Sequence, residues 1–228
     1  MPSVSTPRDV PALSRRVLAD DVFEALTGLV MDHVVAPGER MSIDGLAARL
    51  GVSPTPVRES LARLEALGLA RKEPLRGYRA TPLLSRSELD DLFDFRLLVE
   101  PWAAGRAARA VRRGDGDAAP LTRLLDDMTV APRAGYDHYR AMTEHDVRFH
   151  DTVLALAGND HARQAFARTH CHLHIFRLHY VQQVGSSALA EHAVVAEAVQ
   201  AGAARDAEAA MRAHLRASRD RLRPVAAD

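Results

Sequence analysis

The chain has 228 residues, of which 47% are hydrophobic and 26% charged, and its 30 basic and 30 acidic side chains balance to a net charge of zero. This length suffices for two ordinary domains, each with its own hydrophobic core. No stretch approaches the roughly 18 uninterrupted apolar residues of a membrane helix, so we expect no membrane partner. The single cysteine, Cys171, excludes an internal disulfide framework and is typical of a cytoplasmic protein.

The chain begins with residues 1–14, which we expect to be a disordered lead-in because they are rich in proline and lack the apolar core of a signal peptide. From residue 17, apolar side chains recur at helical spacing and predict an amphipathic helix that ends before the APG turn at 36–38. A short second helix is predicted over 43–50, closed by Gly51.

The stretch at 46–61, LAARLGVSPTPVRESL, has the layout of a helix-turn-helix whose second helix can enter a DNA major groove. Ser53 and Thr55 each precede a proline, which disfavours helical geometry. We therefore expect Thr55 to be the N-cap and Pro56 the first helical residue. The apolar positions of this helix repeat on one side and leave Arg58 on the other.

After this helix, the runs LARKEP and GYRATP predict a β-hairpin wing, so residues 15–82 are expected to form a winged helix. Residues 40–80 carry eight basic and four acidic side chains, a local excess that suits double-stranded DNA. We expect Thr55, Arg40 and Arg49 at phosphates. A guanine edge is expected for Arg58. An exposed arginine is usually only a solvated charge, and the order of the elements is what favours the DNA interpretation.

The run from PGERMSIDGLAARLGVSPTPVRESLARLEALGLA to GYRATP resembles the winged-helix domain of the GntR family of bacterial transcription factors. The resemblance covers about residues 17–82. It implies DNA contacts by Arg40, Ser53, Thr55, Arg58 and Gly77. Many members have arginine where this chain has Pro54, which puts one of the family's contacts in doubt.

Residues 83–228 are predicted to form an all-α bundle of six or seven helices, because helical periodicity is nearly continuous and strand-like alternation is lacking. The spacing of Ser85 and Glu88 is that of a capping box and marks a fresh helix. The predicted helices cover 87–113 with a break or kink at Pro101, 117–129, 136–157, 160–184, 187–201 and 204–223. The fold class is therefore mainly α, with a small β-wing.

Histidine placement is the signal of interest in the bundle. Asp146 and His150 lie four residues apart and so project from one face of a helix, as two ligands of one metal ion must. His192 and His214 lie on two later helices beside small or apolar residues, so all four side chains could converge on one ion. The pattern alone is weak, because such a pair more often forms an ion pair and buried histidines are usually core residues with a hydrogen-bonded partner.

Three segments of residues 87–223 resemble the FCD effector-binding domain of the FadR subfamily: FRLLVEPWAAGRAA, DVRFHDTVLALAGN and EHAVVAEAVQAGAARDAEAAMRAHL. Many FCD domains hold a divalent metal through one aspartate and three histidines. The resemblance implies that the ligands here are Asp146, His150, His192 and His214. Zinc is the expected ion, with manganese or nickel as alternatives, and it would leave one or two coordination positions open for a small carboxylate effector.

The same resemblance implies that Arg96 lies near the effector, where a guanidinium can hold a carboxylate through two hydrogen bonds. A simple helix pair of Arg96 with Glu100 is the alternative. His170 and His174 share a face of a neighbouring predicted helix. Of the two, His174 is the candidate for lining the effector cavity, although roles in the core or in an interface are favoured for both.

These features predict a ligand-responsive transcriptional repressor that binds a near-palindromic operator as a homodimer, since one winged helix reads only a few base pairs. A metabolite would release it from DNA. One alternative is a metal-dependent hydrolase or lyase using the same residues, but it leaves the winged helix unexplained, and motifs such as HExxH and GxSxG are lacking. The other is a metal-free FCD regulator that holds its effector through arginines alone.

Overall fold

The computed structural model describes residues 15–129, 135–179 and 186–228, so the predicted lead-in at 1–14 lies outside the described residues. The chain divides into a smaller unit that ends at Thr81 and a larger unit that runs from Pro82 to Asp228 and takes in Met31–His33. None of the described helices is long and apolar enough to cross a membrane.

The smaller unit is a winged helix, as predicted. Its elements are α1 (Arg15–Met31), β1 (Arg40–Met41), α2 (Ile43–Leu50), α3 (Pro54–Ala66), β2 (Ala70–Glu73) and β3 (Gly77–Ala80). The strands form an antiparallel sheet in the order β1-β3-β2, in which β2 and β3 are the predicted wing. The sequence did not indicate β1, because two residues are too few to show alternation.

The helix-turn-helix has well-formed ends, with one difference from the prediction. Ser42 caps α2 by accepting from the Gly45 N–H, and Gly51 ends it with a φ of 67°. Ser53, not Thr55, is the N-cap of α3, and Pro54 is its first residue. The expectation for Thr55 was wrong because the first turn of a helix has no N–H that needs a partner, so Pro56 fits inside it.

The larger unit is a helical bundle, in agreement with the predicted fold class. Its described helices are α4 (Arg86–Arg113), α5 (Ala119–Thr129), α6 (Gly135–Leu156), α7 (Asp160–Ala167), α8 (Cys171–His179), α9 (Ser186–Gln200) and α10 (Ala204–Leu222). The long helix α4 packs along α10, α6 and α9. It approaches α10 closely at Gly105, where a Cβ would lie 2.0 Å from Glu208 Oε1.

Two predicted features of the bundle differ in the structure. The helix expected over 160–184 is interrupted between α7 and α8, where His170 has a φ of 47°. There the Thr169 hydroxyl donates to the Phe166 carbonyl and accepts from the Cys171 N–H, so a side chain takes over backbone hydrogen bonds. The expected break at Pro101 does not occur, because α4 continues through this buried residue.

The start of α4 gives a test of the fold. The Ser85 hydroxyl accepts from the Glu88 N–H at 3.3 Å while the Glu88 carboxylate accepts from the Ser85 N–H at 2.8 Å, which forms the predicted capping box. Ser85→Ala removes the acceptor and should lower the free energy of unfolding of the larger unit by about 0.5–2 kcal/mol. Urea unfolding followed by the fluorescence of Trp102, the single tryptophan, measures this. Ser85→Thr keeps the acceptor and serves as the control; equal unfolding midpoints for the alanine variant and the wild type would contradict the assignment.

Candidate functional site

The outer face of α3 presents Arg58, which is exposed and has no ion-pair partner among the residues that the structure describes. Arg63, on the same helix, differs: it pairs with Asp20 at 2.7 Å and its guanidinium lies 3.7 Å from the centre of the Phe23 ring. One arginine of the helix is thus used within the unit, and the other remains available to a partner.

The remaining predicted DNA contacts are also at the surface of the smaller unit. Arg40 on β1, Arg49 in the last turn of α2, and Ser53 and Thr55 at the start of α3 are all exposed. Gly77 begins β3 with a φ of 87°, a conformation that favours glycine and lets the wing turn back on itself.

In the larger unit, the structure brings the four predicted metal ligands together. Asp146 and His150 come from α6, His192 from α9 and His214 from α10, and one ligand atom from each lies within 4.8 Å of all the others. The three imidazoles are buried, with 0%, 0% and 3% of their surface exposed, and the Asp146 side chain is 15% exposed. Four polar groups inside an apolar bundle need partners, and the hydrogen bonds around them show which atoms remain unpaired.

His192 is held from behind by a second histidine. His145 Nδ1 lies 3.1 Å from the Leu124 carbonyl oxygen, and His145 Nε2 lies 3.0 Å from His192 Nδ1. His192 Nε2 is buried without a hydrogen-bond partner in the part of the chain that the structure describes. Burial also lowers the pKa of His192 well below its usual value, so this nitrogen carries a lone pair and no proton.

His150 is held by a buried ion pair. Its Nδ1 is hydrogen-bonded to Glu100 Oε2, and the other oxygen of Glu100 accepts from Arg96 Nε at 2.6 Å. Burial opposes ionisation of this carboxyl group, but the guanidinium and the imidazole outweigh burial and hold the pKa of Glu100 far below its usual range. The predicted Arg96 to Glu100 helix pair is therefore present, and Arg96 Nη2 also lies 3.4 Å from His150 Nε2.

His214 has a parallel arrangement. Its Nδ1 donates to Glu191 Oε2 at 2.8 Å, and Arg221 holds both oxygens of the same carboxylate at 2.6 and 2.9 Å. Burial raises the pKa of Glu191, but the hydrogen bonds from His214 and Arg221 prevail and lower it to about 2. A charged carboxylate behind an imidazole fixes its tautomer and makes the opposite nitrogen a better ligand.

Asp146 uses its two carboxylate oxygens differently. Oδ2 accepts from His172 Nδ1 at 2.9 Å, whereas Oδ1 lies 3.5 Å from His192 Nε2 and 3.7 Å from His150 Nε2. A carboxylate oxygen and an imidazole lone pair both accept, so their approach in a buried place requires a cation between them. Ligands about 2.1 Å from a tetrahedral ion stand about 3.4 Å apart, which is close to these spacings. The residues present therefore fit a divalent metal ion.

A cavity of about 30 Å³ adjoins the four residues and extends to helix α8 on one side and to α9 and α10 on the other. Its lining includes Arg96, Asp146, His214, Ser218 and Arg221. His174, the predicted cavity residue, is half-buried beside Glu88 and Arg177 and does not contribute to this lining.

Four neighbours of the cluster were not found by sequence reasoning: His145, His172, Glu191 and Arg221. His145 and Glu191 directly precede predicted ligands, but adjacent residues on a helix do not face the same side, so neither position drew attention. The partner of Glu191 is on the next helix, and the partner of His172 lies 26 residues earlier in the chain. Such pairs follow from tertiary packing and leave no periodic pattern.

Known proteins share both parts of this architecture. Residues 18–79 match the family of bacterial regulatory proteins named gntR, and residues 91–217 match the FCD domain. A regulator of the HTH type in an unstable DNA locus of Streptomyces ambofaciens is 31% identical over 216 residues, which cover 91% of this chain and 86% of that protein. The gluconate operon transcriptional repressor of Bacillus licheniformis is 27% identical over 125 residues, 55% of this chain and 49% of the repressor. A solved GntR structure from Rhodococcus sp. RHA1 superposes with a TM-score of 0.70 over 90% of this chain and 97% of that chain; at 20% identity it shows the shared fold.

The buried ion pair of Arg96 and Glu100 gives a test of the site. Glu100→Leu leaves a guanidinium buried without its carboxylate and should cost about 3–5 kcal/mol of unfolding free energy, whereas Arg96→Met combined with Glu100→Leu should cost less, because no unpaired charge remains. Urea unfolding of chelator-treated protein, followed by Trp102 fluorescence, separates the two. A double variant at least as unstable as Glu100→Leu would contradict the pairing.

Proposed function

The chain belongs to the GntR family of bacterial regulatory proteins and carries an FCD domain, and from this premise we propose a repressor that is switched by a small carboxylate at a metal centre. The protein is a transcriptional regulator and not an enzyme, so the alternative of a hydrolase or lyase is wrong. In the proposed function it binds a near-palindromic operator as a homodimer in the bacterial cytoplasm. The single observation that carries the metal centre is the buried, unpartnered Nε2 of His192, aimed at a carboxylate oxygen.

The proposed DNA contacts follow from exposure and position. In this proposal Arg58 on α3 reads a guanine edge, since its guanidinium is exposed and is not engaged within the smaller unit. Arg40 and Arg49 hold phosphates, together with Ser53 and Thr55 at the N-terminus of the same helix, where backbone N–H groups favour anions. Gly77 lets the wing approach the backbone closely.

The proposed metal is a divalent ion held by Asp146 Oδ1 and the Nε2 atoms of His150, His192 and His214. Nitrogen and oxygen donors of this kind suit zinc best, and manganese or nickel also bind them. When bound, the ion supplies a Lewis-acidic position at which an anionic ligand can be held. A metal-free regulator remains the second candidate, because the same imidazoles also have hydrogen-bond partners in the bundle.

Charge supports a small carboxylate as the effector. Around the cavity, the carboxylates of Asp146, Glu100 and Glu191 face the guanidiniums of Arg96 and Arg221, which leaves one negative charge in excess. A divalent ion changes this to one positive charge, and Arg96 Nη2 lies 3.4 Å from a ligating nitrogen, where it repels the ion. A bound monocarboxylate between metal and guanidinium neutralises the site and removes that repulsion.

The size of the cavity indicates how binding would act on the bundle. About 30 Å³ holds two or three water molecules and accepts a carboxylate group, but it does not accept the body of a metabolite. The effector must therefore move α8, α9 or α10 outward, and it shifts the protein only to the extent that it binds the widened arrangement better. We propose release from the operator as the result, in line with the repressor among the relatives.

The DNA part of the proposal is tested by Arg58→Ala, measured by fluorescence anisotropy on a duplex selected from random sequences by the wild-type protein. Loss of a bidentate base contact of about 1–3 kcal/mol should weaken binding at least about tenfold. Arg205→Ala, which removes an exposed arginine of α10, is the matched control and should bind as the wild type does. An Arg58→Ala variant that keeps both affinity and sequence preference would exclude α3 as the reading helix.

The metal part is tested by elemental analysis of protein purified without added metal or chelator. We expect about one divalent ion per chain. His214→Ala should lose it, while His161→Ala, which changes an exposed histidine of α7, should retain it. A wild-type protein that takes up no zinc, manganese or nickel even after reconstitution would favour the metal-free regulator.

A further inference from the structure

The hydrogen bonds behind His192 form a chain with only one consistent proton arrangement. The Leu124 carbonyl oxygen can only accept, so His145 Nδ1, which lies 3.1 Å away, must carry the proton. His145 Nε2 of the neutral ring is then an acceptor. Its neighbour at 3.0 Å, His192 Nδ1, must donate, and this leaves the lone pair of His192 on Nε2.

Packing holds this chain in place. His145 is 4% exposed and His192 is fully buried, so water cannot replace either hydrogen bond. The Phe149 ring stacks on His192 with centroids 4.0 Å apart and an angle of 7° between the planes. Stacking restrains the tilt of the His192 ring but cannot choose between its two nitrogens, because a phenyl face has no donor or acceptor in the ring plane. The choice of nitrogen depends on His145.

His145 thus differs from the residues behind the other two imidazoles. Glu100 and Glu191 are charged and are held by arginines, whereas His145 is a neutral ring held by a backbone carbonyl of α5. From this we infer that His145 is a positioning residue, which fixes His192 as its Nδ1–H tautomer and so presents the Nε2 lone pair to the metal ion. The effect on metal affinity rests on the metal centre of the proposed function; the effect on the tautomer does not.

The tautomer is measured on the metal-free wild-type protein, labelled with 15N-histidine, by long-range 1H–15N correlation. His192→Gln supplies the assignment of the signals. We expect His192 to be the Nδ1–H tautomer in the wild type and a mixture of both tautomers in His145→Phe. A wild-type His192 protonated on Nε2 would overturn the inference, whether or not the protein binds metal.

Zinc affinity is measured on chelator-treated protein by competition with a chromophoric chelator. His145→Phe keeps a ring of similar shape but neither hydrogen bond, and it should bind zinc about 10–100-fold more weakly. His145→Gln should stay close to the wild type, because an amide can donate to the Leu124 carbonyl and accept from His192. His174→Phe alters a half-buried histidine outside the cluster and is the matched control.

The outcomes separate the two levels of the argument. Folded His145→Phe protein, judged by circular dichroism and Trp102 emission, that binds zinc as tightly as the wild type would overturn the positioning role and leave the metal centre intact. A wild type that binds no zinc would remove the metal centre, and the tautomer measurement would then decide the role of His145 alone. If His145→Phe does not fold, the Gln variant and the wild-type tautomer carry the test, and a glutamine variant with wild-type structure but weakened zinc binding would count against the inference.

Discussion

The architecture of the larger unit depends on one constraint: a buried cluster of groups that can only accept hydrogen bonds must be held open inside an apolar core. Asp146 Oδ1 and the Nε2 atom of His192 lie 3.5 Å apart without a donor between them. In the absence of a cation such an arrangement is unfavourable, and it persists because the surrounding helices fix the other side of each ring. Partners come from α4, α5, α8, α9 and α10 and lock the rings that α6, α9 and α10 contribute.

This arrangement explains why polar residues are retained in the middle of the bundle. Arg96 and Glu100 are 2% and 1% exposed, and replacing such a pair by apolar residues often leaves a protein equally stable. Their contribution is therefore orientation rather than stability: Glu100 holds His150, and Arg96 holds Glu100 while also lining the cavity. A binding site built on helices in this way keeps its geometry without a ligand.

Local signals in the sequence were sufficient for the fold and for the four candidate ligands, and they failed where tertiary contacts decide. The order of helix, turn, helix and wing predicted the winged helix, and the four-residue spacing of Asp146 and His150 placed both on one helical face. The start of α3 was missed by two residues because two prolines both fit a first turn. The division between α7 and α8 depends on the Thr169 hydroxyl, and the residues behind the imidazoles belong to other helices, so neither leaves a pattern that a single sequence could reveal.

In the proposed regulator, the same contacts couple the effector to the metal. Arg96 and Arg221 line the cavity, and each also holds the carboxylate that orients a metal-ligating imidazole. An effector carboxylate that accepts from these guanidiniums competes with Glu100 and Glu191 for the same N–H donors, so it changes how firmly His150 and His214 are held. Coupling of this kind is reciprocal, since whatever the effector does to metal affinity the metal must do to effector affinity. The bundle therefore responds to both ligands as one unit, and the helices that carry the two arginines, α4 and α10, are also the pair that pack most closely along each other.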